Sequence, residues 1–166
     1  MSQRFGWGHI NVNVRDLDVS VRFYQKLGFE VFIPGIPYIG LNAEQPVEVI
    51  ADVAEALGIP PGTAGRACIM QLDNGFPKLD LTEFSGPEQR EPLQNKDLGL
   101  ARICLGSRDL AADYEQLRSE GVEFRSPPVT CYQRMADIAI CNDPDGTLIE
   151  LIQVHLERWT GRSERI

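Results

Sequence analysis

Apolar and polar residues follow the same order in two separate stretches of the chain. Residues 8–32 and residues 101–125 each begin with alternating apolar residues, which predict a strand, and continue with apolar residues at helical spacing. A constant offset of 93 residues aligns the two stretches without a gap, from Ile10 with Ile103 to Glu30 with Glu123. The pattern therefore predicts an internal duplication.

Each copy has the same predicted order of strand, helix and strand. Asp16 and Asp109 precede the helical stretches, where a carboxylate can accept hydrogen bonds from the first backbone N–H groups. Gly28 and Gly121 fit the left-handed position that ends a helix. A second strand is predicted directly afterwards, with the sequence FEVFI in the first copy and VEFRS in the second.

A hairpin of two further strands is predicted in each copy. The first covers residues 66–84 and turns at Asn74-Gly75, a pair typical of type I′ turns. The second covers residues 134–153 and turns at Asp143-Pro144-Asp145-Gly146.

The closing strands of the two copies match at a different offset. Leu79-Asp80-Leu81 corresponds to Ile149-Glu150-Leu151 at an offset of 70, so the first copy carries 23 extra residues. A helix is predicted there over residues 47–57, ended by Gly58 and the prolines that follow. The insertion would act as a lid over the sheet or pack on its outside.

These patterns predict an α+β protein of two βαβββ modules, forming an open, cup-shaped mixed sheet with helices outside. The first module spans residues 1–90, with its insertion at about 43–65, and the second spans residues 97–156. We expect the two modules to form one compact unit with its function inside the cup.

Composition narrows the partners and the compartment. Lys and Arg total 16 against 24 Asp and Glu, a net charge of −8 that argues against nucleic-acid binding. The apolar runs are short, and the N-terminus lacks the apolar core of a signal peptide, so we expect a cytoplasmic protein without a membrane span. The four cysteines form no CxxC pair and are interpreted as small hydrophobic residues.

Strand parity brings the candidate site residues together. Residues at alternate positions share a face, so Trp7, His9, Asn11 and Asn13 lie opposite Ile10, Val12 and Val14. The repeat offsets then give four polar residues at related positions: His9, Asp80, Arg102 and Glu150. A histidine with two carboxylates suits a divalent metal ion. Alternatively, the histidine is a half-buried hydrogen-bonded residue and the carboxylates are solvated.

Two segments make the chain resemble the vicinal oxygen chelate superfamily, which includes glyoxalase, epimerases, extradiol dioxygenases and bleomycin-binding proteins. These segments are GHINVNVRDLDVSVRFYQKLGF at residues 8–29 and DPDGTLIELIQ at residues 143–153. The resemblance covers almost the whole chain. It implies paired βαβββ modules whose cup holds a divalent metal, with ligands from the first and last strand of each module.

Carried onto this sequence, the resemblance implies that His9, Asp80 and Glu150 are metal ligands. Asp80 stands where members carry Glu or Gln, and Arg102 stands where glyoxalase and epimerase members carry histidine. Because arginine is always protonated, it cannot coordinate a metal ion. Asp80 and Glu150 nevertheless need a positive charge, which either a metal or Arg102 must supply.

The resemblance therefore implies two main functions. In the first, a divalent ion (Ni, Co, Mn, Zn or Fe) supports enolate chemistry in a glyoxalase- or epimerase-like lyase or isomerase. Glu150 is then the general base and Arg102 turns toward an anionic substrate group. In the second, Arg102 bridges the carboxylates of a metal-free protein that binds or sequesters a small molecule.

An extradiol-type dioxygenase is a third function. It is disfavoured because such sites use two histidines, and His155 is expected at the surface, outside the cup.

Trp7, Asn11 and Arg134 are predicted to line the substrate pocket. In the metal-free alternative, Trp7, Tyr38, Phe84 and Tyr132 would line an apolar pocket. The resemblance also implies a small-molecule substrate and a homodimer.

Overall fold

The computed structural model describes residues 4–86 and 90–159, which divide into two compact units. Unit 1 ends at Arg90 and unit 2 begins at Glu91. Both units mix helices with mixed parallel and antiparallel sheets, so the predicted α+β class is confirmed. Within the described ranges, no helix has the length and apolar character needed to cross a membrane.

Unit 1 is a sheet with one helix from the repeat and an insertion. Its elements are β1 (His9–Asn13), α1 (Leu17–Lys26), β2 (Glu30–Ile33), β3 (Gly35–Ile36), β4 (Leu41–Asn42), β5 (Val47–Glu48), α2 (Ala51–Leu57), β6 (Ala64–Gln71) and β7 (Lys78–Phe84). The main sheet has the order β1-β7-β6-β2, and β5 also pairs with β6. β1 runs parallel to β7, and the other pairings of this sheet are antiparallel.

Unit 2 repeats this plan without the insertion. Its elements are β8 (Arg102–Gly106), α3 (Leu110–Ser119), β9 (Val129–Thr130), β10 (Ala136–Asn142) and β11 (Leu148–Val154). The sheet order is β8-β11-β10-β9, with β8 parallel to β11. The predicted turn at Asp143 forms, because its carboxylate accepts hydrogen bonds from the backbone N–H groups of Asp145 and Thr147 at 2.9 and 2.7 Å.

Helix ends follow the sequence prediction in both copies. The Asp16 carboxylate accepts a hydrogen bond from the Val19 N–H at 2.9 Å, and Asp109 accepts one from Ala112 at 3.1 Å. Gly28 and Gly121 follow the helices with φ of 90° and 84°. This backbone region is strained for residues that carry a Cβ, which accounts for glycine at both positions.

Strand register shows that the two copies correspond residue by residue. Asn11 of β1 pairs with Asp80 of β7, and Cys104 of β8 pairs with Glu150 of β11. Asp80 and Glu150 therefore hold equivalent positions in the two sheets, as the sequence offsets predict. Of the four cysteines, all free thiols, Cys104 is exposed.

The first hairpin turn is wrongly predicted. A type I′ turn requires positive φ at both central residues. In this loop Asp73 has a positive φ, 53°, whereas Asn74 and Gly75 do not. The last paired residues of the hairpin are Met70 and Leu79. Because Pro77 has no N–H to donate, the ladder cannot continue toward Asn74-Gly75 and the connection widens.

Two other elements differ from their predictions. The strand predicted at residues 122–126 is reduced to a single bridge between Phe124 and Cys141. The prolines at 127 and 128 donate no hydrogen bond, so pairing with β10 resumes only at β9. The helix predicted from residue 47 begins at Ala51, because Val47 and Glu48 pair with β6 as β5.

The insertion packs on one face of the unit 1 sheet. Val49 and Ala54 of the insertion form a buried cluster with Ile36 of β3, Leu41 of β4, and Ala67 and Ile69 of β6. Ile69 pairs directly with Asp80, and Ala67 pairs with Thr82, so these four side chains share a face of the sheet. The insertion therefore lies beside Asp80, and it helps to remove that carboxylate from solvent.

Candidate functional site

Asp80 is the centre of the polar residues in unit 1. Only 1% of the surface of Asp80 is accessible to solvent. The Tyr38 hydroxyl donates a hydrogen bond to Oδ2 at 2.8 Å, and His9 Nε2 lies 3.7 Å from the same oxygen. Oδ1 is buried and has no hydrogen-bond partner among the described residues. Since buried polar atoms are normally satisfied, this oxygen marks an unmet requirement for a cation or a donor.

Tyr38 reaches Asp80 from the tip of the short hairpin formed by β3 and β4. A 3-10 turn at Pro37–Ile39 carries it and ends at Gly40, whose φ is 76°. The hairpin is tight, because a Cβ at Gly35 would lie 2.7 Å from the Leu41 carbonyl oxygen. The sequence predicts Tyr38 only as a pocket-lining aromatic residue of the metal-free alternative. The proline before it and the glycine after it were the available signals that this aromatic side chain is held in place.

The protonation of Tyr38 suits its role as a donor. Partial burial, reinforced by the hydrogen bond to Asp80 and the charge of Asp80, raises the pKa of Tyr38 to about 12. The phenol therefore stays protonated at neutral pH. The Tyr38 ring also stacks on the His9 imidazole, with centroids 6.2 Å apart and planes 27° apart. Tyr38 thus contacts both of the metal-ligand candidates of this unit.

Other predicted residues of unit 1 have separate surroundings. Asn11 accepts a hydrogen bond from the Thr82 hydroxyl at 2.9 Å and donates one to Asn13 at 2.9 Å. It therefore faces the same side as Asp80, with which it pairs. Trp7 precedes β1 and is exposed.

The residues of unit 1 fit a divalent cation. The imidazole of His9 and the unpartnered oxygen of Asp80 are donors that Ni, Co, Mn, Zn and Fe accept in proteins. Within residues 4–86 and 90–159, no three His, Cys, Asp or Glu side chains form a cluster that could hold a metal ion. The pair in unit 1 therefore offers two ligands.

The equivalent pair in unit 2 has a different chemistry. Arg102 forms an ion pair through Nε with Glu150 Oε2, and its NH1 donates to Asn95 at 3.1 Å. The Glu150 carboxylate and its negative charge raise the pKa of Arg102 further above its usual value. Glu150 is buried, whereas 42% of the Arg102 side chain is exposed. Arginine thus supplies a permanent positive charge to Glu150, whereas in unit 1 Asp80 is contacted by Tyr38 and His9.

Arg134 and His155 lie together in a different part of unit 2. Arg134 belongs to a 3-10 turn at Tyr132–Arg134 before β10, and its carbonyl accepts a hydrogen bond from Arg158. The surface position predicted for His155 is wrong: its side chain is only 14% exposed, and its Nε2 lies 2.7 Å from Asp137 Oδ2. A hydrogen bond from Thr130, together with His155, lowers the pKa of Asp137. His155 is therefore held by a hydrogen bond with Asp137 where strand β11 ends.

The family model for the Glyoxalase/Bleomycin resistance protein/Dioxygenase superfamily matches residues 6–151. The chain therefore belongs to this superfamily, the vicinal oxygen chelate group that its sequence resembles. A lactoylglutathione lyase of Pseudomonas aeruginosa is 24% identical over 172 residues, which cover 98% of this chain and 90% of that protein. A lactoylglutathione lyase of Schizosaccharomyces pombe is 24% identical over 90% of this chain, which spans 45% of the yeast protein.

Solved structures agree on the fold. A glyoxalase family protein from Bacillus cereus superposes with a TM-score of 0.69, over 93% of this chain and 98% of that one. Its sequence identity is 17%, so the likeness concerns the fold alone.

Proposed function

We propose that this chain is a small-molecule enzyme, a lyase or isomerase that moves a proton on a carbon next to a carbonyl group. The observation that carries the proposal is the Asp80 carboxylate, which is buried with one oxygen unpartnered among the described residues. A buried charged group without compensation lowers stability, so its presence at the position of a family metal ligand points to function. Family membership and the lactoylglutathione lyase relatives support the same class of reaction.

His9 and Asp80 are the residues of unit 1 that would hold a divalent ion. When bound, such an ion polarises a substrate carbonyl oxygen as a Lewis acid. Tyr38 has a positioning role: its hydroxyl holds Asp80 Oδ2, and its ring supports the His9 imidazole. The Tyr38 residue is 60% exposed, so a small molecule can approach the two ligands alongside it.

In unit 2, we assign substrate recognition to Arg102 and proton transfer to Glu150. The exposed guanidinium of Arg102 can bind an anionic oxygen of the substrate in place of Glu150. Glu150 would then lose its charge-assisted hydrogen bond and accept a proton as general base. Asn95, which also accepts a hydrogen bond from Arg102, would keep the guanidinium in place during this exchange.

The Arg102–Glu150 ion pair also favours a second candidate function. Since Arg102 already neutralises Glu150, a metal ion is not needed in that unit. A metal-free protein that binds or sequesters a small molecule would keep this ion pair unchanged. The two candidates differ in whether a divalent metal is required and whether the bound compound is converted.

A proton-exchange and turnover assay distinguishes the candidates. Lactoylglutathione, named by the two relatives, is the first compound to test, followed by 2-oxo and 2-hydroxy acids in D2O with proton NMR. With added divalent metal, we expect exchange of the proton next to the carbonyl group. Loss of the metal ligand in Asp80→Asn, or of the general base in Glu150→Gln, should slow the reaction by about 100-fold or more.

The matched control is Glu48→Gln, which removes an exposed carboxylate of β5 and should leave the rate unchanged. Turnover that persists in Asp80→Asn, or in a chelator, would overturn the metal-dependent proposal. Binding of a compound without any conversion, unaffected by chelator, would establish the second candidate instead.

A further inference from the structure

Lys78 is a buried cationic residue that the proposed reaction does not use. It begins β7, two residues before Asp80, and keeps 8% of its accessible surface. Its ammonium donates a hydrogen bond to Gln71 Oε1 at 2.7 Å. The same nitrogen lies 4.6 Å from the ring centroid of Phe32 and 4.8 Å from that of Phe76.

The charge of Lys78 has no acidic partner in the described part of the chain. An ammonium has three N–H donors, and Gln71 is the one acceptor that receives a hydrogen bond from it there. Glu30 accepts from the Gln71 amide at 2.6 Å rather than from Lys78. The chain has 24 acidic residues, yet this buried lysine is bound by a neutral amide and two rings. Cation–π contacts offset only part of its desolvation.

Its position connects Lys78 with the candidate site. Lys78 pairs with His9 across β1 and β7, and it lies on the same face of β7 as Asp80. Two residues along a strand are separated by roughly 7 Å, so the ammonium and the Asp80 carboxylate suit two ends of one small molecule. Phe32 and Phe76 are both exposed and provide apolar surface beside the ammonium.

We propose that Lys78 binds the carboxylate of a small organic acid, and that Phe32 and Phe76 contact its apolar carbons. The ligand class is a carboxylic acid whose carboxylate is several bonds from the atoms that approach Asp80. The role of this acid as substrate rests on the proposed function. Its binding to Lys78 does not, because that contact requires neither metal nor turnover.

The test is a titration of the full chain with pentanoate in the presence of EDTA, followed by two-dimensional 1H–15N NMR. Pentanamide serves as the neutral isostere, and inorganic phosphate as the alternative anion. We expect pentanoate to shift the Gln71 side-chain amide signals and the backbone signals of Lys78 and Phe76. Lys78→Met should weaken binding by about tenfold or more, which corresponds to loss of one charge-assisted contact.

Two variants keep the test decisive. Phe76→Glu replaces an exposed ring and puts a carboxylate beside Lys78, so it should compete with pentanoate while the protein stays folded. Lys96→Met removes a lysine of the exposed segment before β8 and should leave the affinity unchanged.

Equal affinity of wild type and Phe76→Glu, or equal binding of pentanamide, would overturn the proposal. Phosphate binding as tightly as pentanoate would overturn the assignment to carboxylic acids. Because the titration contains EDTA, failure here is distinguishable from failure of the metal-dependent reaction.

Discussion

Replacing Asp80 by asparagine should stabilise the metal-free protein while removing its function. In the wild type, the carboxyl group of Asp80 is buried, with Tyr38 bonded to one oxygen and no partner for the other among the described residues. Asparagine keeps an acceptor for Tyr38 and removes the charge, but it leaves a neutral amide group without a partner. Because an unsatisfied charged group costs more than a neutral one, we expect a gain of about 1 to 2 kcal/mol in the free energy of unfolding.

Urea denaturation in EDTA measures this change directly. Added divalent metal should then stabilise the wild type, by about 2.7 kcal/mol at a metal concentration of 100 times Kd. Asp80→Asn should gain no such stabilisation. The exposed control Glu48→Gln should behave like wild type in both buffers.

Stability changes of the opposite sign would contradict this role of Asp80. If Asp80→Asn is less stable than wild type in EDTA by about 1 kcal/mol or more, the carboxylate supports the fold and is not held there for a ligand. If metal stabilises both proteins equally, the metal binds elsewhere.

Other changes test the framework around the site. Arg66 donates a hydrogen bond to Glu83 at 2.7 Å, and Glu83 also accepts one from the first N–H group of α1. Arg66→Met should therefore lower the free energy of unfolding, measured by urea denaturation, by about 1 to 3 kcal/mol. A smaller loss would mean that the Arg66–Glu83 pair is redundant. Gly35→Ala should lower the free energy of unfolding by about 1 to 3 kcal/mol, because the new Cβ would lie 2.7 Å from a backbone oxygen of β4. Unchanged stability would show that the hairpin can relax. The pKa of Asp137 is lowered in the fold, first by the Thr130 hydrogen bond and then by the His155 contact, so these interactions stabilise the fold above the unfolded pKa and are lost as pH falls through the folded pKa. Asp137→Asn should flatten the acid side of the stability curve, whereas an unchanged curve would exclude this contribution.

Much of the architecture follows from local rules that act within each copy. Asp16 caps its helix because a short carboxylate reaches the first free N–H groups, and Gly28 ends it because φ is positive. Strand parity assigned Asp80 to the polar face, and the register with Asn11 agrees. These features depend on neighbours in sequence or on a period of two, so the sequence alone predicts them.

The sequence predictions are wrong or incomplete where a tertiary contact determines the local structure. Asn74-Gly75 has strong turn chemistry, but the prolyl residue at 77 ends the ladder first. His155 has no local signal for its partner, since Asp137 lies on the neighbouring strand. Tyr38 could not be assigned to Asp80, because the contact joins residues 42 positions apart through a hairpin whose fold depends on Gly35. The ion pair of Arg102, by contrast, was one of two alternatives that the sequence left open.

The metal content of protein purified without a histidine tag shows whether Asp80 is a metal ligand. Elemental analysis of wild type, Asp80→Asn and Glu48→Gln, after incubation with Ni, Co, Mn, Zn or Fe and gel filtration, compares the three proteins. We predict near-stoichiometric retention of one of these metals in wild type and Glu48→Gln, and its loss in Asp80→Asn. Wild type that retains none of the metals, or Asp80→Asn that retains as much as wild type, would contradict the assignment of Asp80 as a metal ligand.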